Sequence, residues 1–105
     1  MTIDYTARHT VVTEKLKEVA EAGIERIGRV THLCKNAHII LSEDKFRKLA
    51  EVTLPCKGES IVATGEAEQM ETALRQALER VEQQAIRSRK RVETVRDRVA
   101  KPLAA

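Results

Sequence analysis

The sequence predicts a single α+β domain in the order β-α-β-β-β-α, a four-stranded sheet with two helices packed on one face. Three observations predict it. Apolar residues alternate at period two in four short segments, they recur at three- and four-residue steps in two longer ones, and 105 residues leave room for one such core. A chain of this length buries roughly 65% of its unfolded surface, enough to fold unaided.

Ile3 and Tyr5 alternate with Thr2, Asp4 and Thr6, the pattern of a short, half-buried first strand. A helical stretch follows Thr13, with Leu16, Val19, Ala20, Ile24 and Ile27 on one face and Glu14, Lys17, Glu18, Glu21, Glu25 and Arg26 elsewhere. Thr13 is placed to cap this helix by accepting a free amide, and Gly28 to end it. Gly23 inside it weakens the helix by up to about 1 kcal/mol relative to alanine.

After an irregular stretch at 31–36, Ala37, Ile39 and Leu41 form one face of a second strand, and residues 42–44 turn the chain. Ala50, Val52, Leu54 and Cys56 alternate with Leu49, Glu51, Thr53 and Pro55 in a third. Pro55 has no amide proton to donate, so pairing should falter there. Lys57, Gly58 and Glu59 read as a hairpin turn, and Ile61, Ala63 and Gly65 as the inward face of a fourth strand.

From Glu68 the period becomes helical through Met70, Ala73, Leu74, Ala77, Leu78, Val81, Ala85, Val92, Val95 and Val99. This second helix is expected to end before Pro102. Its first turn is expected to carry Glu66 and Glu68 and its last turns Arg and Lys, the polarity the helix dipole favours. Residues 1–95 read as the domain and 96–105 as a short basic C-terminal tail. One-faced strands and amphipathic helices are satisfied together when both helices cover the same side of the sheet. A right-handed crossover then makes the first two strands parallel, and tight turns make the remaining pairs antiparallel.

Tyr5 and Phe46 are the only aromatic residues, so the core must be aliphatic. No apolar run approaches the roughly 20 residues of a membrane span, and the N-terminus lacks the order of a secretory signal, which predicts a cytoplasmic protein with no membrane partner. Cys34 and Cys56 lie far apart, with only His32 nearby, and are expected to be two reduced structural thiols. The glycines are scattered, no phosphate-loop or paired-histidine motif occurs, and His9, His32 and His38 fall in different elements. These absences point away from an enzyme, and no cofactor, metal site or small-molecule substrate is expected.

What chemistry remains is basic. Of the net charge of +3, residues 87–101 hold seven cations (Arg87, Arg89, Lys90, Arg91, Arg96, Arg98, Lys101) against Glu93 and Asp97, or +5, leaving −2 for the rest. Such asymmetry suits a polyanion, because neutralising phosphates releases counterions. Arg80, Arg87 and Arg91 recur at steps of seven and four and share one helical stripe, flanked by Arg89 and Lys90. Lys17 and Arg26 of the first helix are expected to form the second wall of a shallow groove. Pairing with glutamates on a solvated helix surface accounts for residues such as Arg75, near Glu79, but residues 87–91 have too few acids in reach. The strands lack aromatic platforms for unpaired bases, so shape and phosphate recognition of folded RNA is the expected mode.

Ile3-Asp4-Tyr5-Thr6-Ala7-Arg8-His9, followed by Thr13-Glu14-Lys15-Leu16, resembles the opening of ribosome hibernation promoting factors and the related ribosome-associated inhibitor of translation. The resemblance continues through residues 36–45, 50–54, 58–66 and 70–92. It implies the fold derived above, similar to a double-stranded-RNA-binding domain. It also implies binding to the small ribosomal subunit and its rRNA in the channel used by mRNA and tRNA, silencing ribosomes in starvation or stationary phase. By position, Lys17, Arg26, Arg80, Arg87, Arg89 and Arg91 match basic places that the family directs at ribosomal RNA. The chain resembles a short form, without the dimerisation domain of long members, and self-association stays open.

Ala7 stands for the usual glycine, Gly23 and Gln83 for basic residues, and Gln69-Met70-Glu71 for Asp-Met-Tyr, departures that alter the implied contacts. The alternative reading is a protein-interaction module modulating a transcription complex, in which an acidic protein meets the same stripe.

Overall fold

Alternation along the strands sends Ala37, Ile39 and Leu41 of β2 (Asn36–Glu43) to one side of the sheet, with Ala50, Val52 and Leu54 of β3 (Lys48–Cys56) and Ile61, Ala63 and Gly65 of β4 (Glu59–Ala67). All nine are buried. The computed structural model describes residues 2–31, 34–56 and 59–104, the side chains of 59 and 89–104 excepted. Strand β1 (Thr2–Arg8) runs parallel to β2 and sets Ile3 and Tyr5 opposite Ala37 and Ile39, while β2–β3 and β3–β4 are antiparallel, giving the order β1-β2-β3-β4. The expected topology is the observed one.

Two helices cover the apolar face. The helix α1 (Glu14–Val30) buries Leu16, Ala20, Gly23, Ile24 and Ile27, and α2 (Met70–Ala104) buries Ala73, Leu74, Ala77, Leu78, Val81 and Ala85. The resulting core is aliphatic, and each fully buried Ile, Leu or Val stabilises it by about 1.5–3 kcal/mol. Gly23 is what lets the helices meet closely, since a Cβ there would lie 2.7 Å from Leu78 Cδ1.

Local chemistry sets the ends of α1. The Thr13 hydroxyl accepts from the Leu16 amide at 3.2 Å, as the capping pattern predicted. The helix does not stop at Gly28, however. It continues to Val30, whose side chain packs against the core three residues after Ile27, and Thr31 caps it in extended conformation by donating to the Ile27 carbonyl at 3.1 Å. Partial burial of Val30 against the core favours the extra turn over an end at the glycine.

Other expectations are corrected. Pro55 breaks no pairing with β4, where the register runs on through Pro55–Ser60 to Cys56–Glu59; the β2 ladder has already ended at Thr53. Its missing donor is tolerated where β3 has one neighbour only. Glu66 belongs to β4, so the acid in the first turn of α2 is Glu71. The second helix does not end before Pro102 but runs on to Ala104.

The two thiols are not free. Cys34 and Cys56 form a disulfide, their Cα atoms 4.1 Å apart, because an antiparallel bridge joins these positions 22 residues apart in sequence. The expected turn at Lys57 and Gly58, and His32, lie outside the described residues.

Candidate nucleic-acid interface

The cations proposed for a polyanion all lie on the helices, but the structure divides them among separate strips. Lys17 and Arg26 are nine positions apart on α1, two and a half turns, and therefore face opposite ways. Arg26 lines a groove of about 220 Å³ between the helices with Lys15, Glu18, Val19, Ala22, Arg75 and Leu78. Lys17 is not part of it and approaches Glu14 at 3.9 Å. The expectation that Lys17 and Arg26 form one wall is corrected by this geometry: Arg26 alone reaches the groove, and its cationic neighbours are Lys15 and Arg75.

Within the groove, carboxylates hold two of the three cations. Glu71 of α2 takes Arg75 at 2.9 Å on its own helix and Lys15 of α1 at 4.0 Å, tying the helices across their exposed seam. Arg75 thus pairs one turn back, with Glu71 rather than Glu79. Arg26 has no ion-pair or hydrogen-bond partner among the described residues and remains available to an anion.

The far flank of α2 does different work. Gln76, Arg80 and Gln84 recur every four residues, so they form a row along the helix. Gln76 Oε1 accepts from the Glu66 amide at 3.3 Å, Arg80 donates to the Thr64 carbonyl, and Gln84 Nε2 donates to the Val62 carbonyl at 3.0 Å. Together they bond three backbone groups along the outer edge of β4. Arg80 is engaged there by at least one of its donors, whereas Arg87, one turn beyond Gln84, is exposed and has no partner among the described residues. The side chains of Arg89, Lys90 and Arg91 lie outside the described residues.

Sequence reasoning missed Lys15, whose eleven-residue spacing from Arg26 is three helical turns and places both on one side. His38 lies on β2 with its Nδ1 3.5 Å from Asp4 Oδ2, and both side chains are largely in solvent. Among the described residues no group of three or more His, Cys, Asp or Glu could hold a metal, and no helix is long and apolar enough to cross a membrane.

The family model described as Sigma 54 modulation protein / S30EA ribosomal protein matches residues 3–93. A ribosomal subunit interface protein from Coxiella burnetii has a similar structure, with a TM-score of 0.73 at 20% identity over 86% of this chain and 99% of that one. The N-terminal domain of Protein Y from Thermus thermophilus is as similar, with a TM-score of 0.73 at 21% identity over 83% of this chain and 98% of that one. No curated protein sequence matches the chain.

Proposed function

Because the chain belongs to the Sigma 54 modulation protein / S30EA ribosomal protein family, a family of ribosome-associated proteins, we propose that it is a hibernation-type factor for the small ribosomal subunit. In this reading it occupies the mRNA and tRNA channel in the cytoplasm of starved or stationary cells and keeps the ribosome idle. It needs no cofactor and makes or breaks no bond. The observation that carries the proposal is the family match over residues 3–93, together with Arg26 and Arg87 on the helical layer, which have no partner among the described residues. Arginine forks suit phosphate oxygens, and cations already neutralised by carboxylates would contribute less.

Ribosomal RNA is the proposed contact, through Arg26, Arg87, Arg89, Lys90 and Arg91, with Lys17 and Arg80 as peripheral donors. Each phosphate neutralised adds roughly 0.7–0.9 to the slope of log affinity against log salt. Co-sedimentation with purified small subunits over a salt series is therefore the test. Charge reversal of Arg87, Arg89 and Arg91 together should release the protein and flatten the slope, and undiminished binding by that variant would defeat the proposal.

The family description also favours a second reading, a protein-interaction module that modulates a transcription complex. A protein adaptor of that kind stays in the soluble fraction when ribosomes from starved cells are pelleted. A hibernation factor pellets with them.

A further inference from the structure

The turn between β2 and β3 displays an aromatic side chain that the fold does not use. Phe46 is 87% exposed, more than any other large apolar residue described, in a chain with only one other aromatic. Its neighbours are Lys45, Arg47 and Lys48. The turn is braced from within and from both sides. Asp44 donates its amide to the Arg47 carbonyl at 2.9 Å, and its carboxylate accepts from the Lys45 amide at 2.7 Å. Arg47 is pinned to Glu66 of β4 at 2.8 Å, and Lys48 pairs with Glu43 across the strands. The Lys45 ammonium has no partner among the described residues.

We infer that this hairpin tip is a second RNA contact, in which Phe46 stacks on an unpaired base of the ribosomal RNA while Lys45 meets the adjoining phosphate. The inference rests on the ribosome-binding reading and adds to it a site that reads a base face rather than backbone charge alone. A held turn loses little freedom on binding, so the ring is presented ready to stack. Every base offers a π-face, and an aromatic with a cation beside it is the combination that single-stranded nucleic acid rewards. A protein pocket would more naturally meet a contiguous apolar patch, whereas residues 44–48 surround Phe46 with charge.

The tip is also separable from the helical cations. It lies at the end of the sheet where α2 begins, and Arg87 is 17 residues further along that helix, about 25 Å away at 1.5 Å per residue. Substitutions at the two places therefore report independently.

The experiment measures equilibrium binding of the full chain to purified small ribosomal subunits at several salt concentrations, for wild type, Phe46→Ala, Phe46→Leu and Phe46→Tyr. Exposure of the residue keeps all three variants folded, which circular dichroism checks. Alanine and leucine should each weaken binding about tenfold with the salt slope unchanged, and tyrosine should restore it to within about twofold. Wild-type affinity in Phe46→Ala overturns the tip contact while leaving the ribosome-binding reading intact. Full affinity in Phe46→Leu with loss in Phe46→Ala overturns stacking and assigns the tip to an apolar pocket. Failure of wild type to bind small subunits defeats the underlying reading and this inference with it.

Discussion

Gly65 of β4 lies directly beneath α2, so close that a Cβ there would collide with the Ala73 carbonyl oxygen and stand 2.9 Å from the Ala77 amide nitrogen. Backbone atoms of a helix cannot move aside as a side chain can. Gly65→Ala must lift the helix off the strand, and is expected to cost about 3 kcal/mol or more in urea denaturation. Gly23→Ala is the contrast, because it meets only the Leu78 side chain, which a small shift in packing can move, and gains helix propensity. Its stability should stay within about 1 kcal/mol of wild type.

Arg80 and Arg87 look alike in sequence, yet one supports the sheet and the other has no partner among the described residues. Arg80→Ala removes a donor to the β4 edge and should lower stability by about 1 kcal/mol, with a similar loss for Gln84→Ala. Arg87→Ala should change stability by less than about 0.5 kcal/mol. Chemical denaturation of the three variants checks the ranking, and equal losses at Arg80 and Arg87 would contradict it.

Tyr5 gives stability an alkaline pH dependence. Burial, and next the nearby Glu21 carboxylate, push its phenol above the ordinary value of about 10, and its buried hydroxyl has no hydrogen-bond partner. A raised folded-state pKa means that this contribution to stability is fully present below about pH 10 and is lost as pH rises through the folded value. Tyr5→Phe should flatten the alkaline limb of a stability profile above about pH 10 and, by deleting an unpartnered hydroxyl, leave neutral-pH stability unchanged or raised by up to about 1 kcal/mol.

Cys34 and Cys56 tie the entry to β2 to the end of β3. Breaking the bond with a reductant should cost about 2–4 kcal/mol, read as a lower urea midpoint against an oxidised control. An unchanged midpoint would mean that the pair contributes no net stability. Disulfides persist in oxidising compartments and are reduced in the cytosol, so the measured loss also sets how far stability depends on compartment.

Periodicity made most of the fold legible: Ala37, Ile39, Leu41 and their counterparts announce the inward face before any coordinate does. The same arithmetic could not place Arg80 and Arg26 relative to each other, because angular position on one helix says nothing about how that helix is rotated against the sheet or its neighbour. It put Lys17 and Arg26 on one wall, where the helix turns them to opposite sides, and passed over Lys15. Gly23 read as a defect in α1, since only the position of Leu78 shows what the missing side chain allows. The Cys34–Cys56 bond was hidden for a related reason, being a contact between two segments 22 residues apart that no local pattern encodes. Phe46 was counted among the aromatics, but exposure is a property of the turn that carries it.

The row of Gln76, Arg80 and Gln84 also bears on how the molecule behaves at high concentration. An uncovered outer strand can template another chain, and lateral growth of that kind begins many insoluble assemblies. Here side chains of α2 already bond the Val62 and Thr64 carbonyls and the Glu66 amide, so an incoming strand must displace them to pair there. Any sideways accretion is left to the opposite margin, the seven residues Thr2–Arg8, where the charges of Asp4 and Arg8 discourage it.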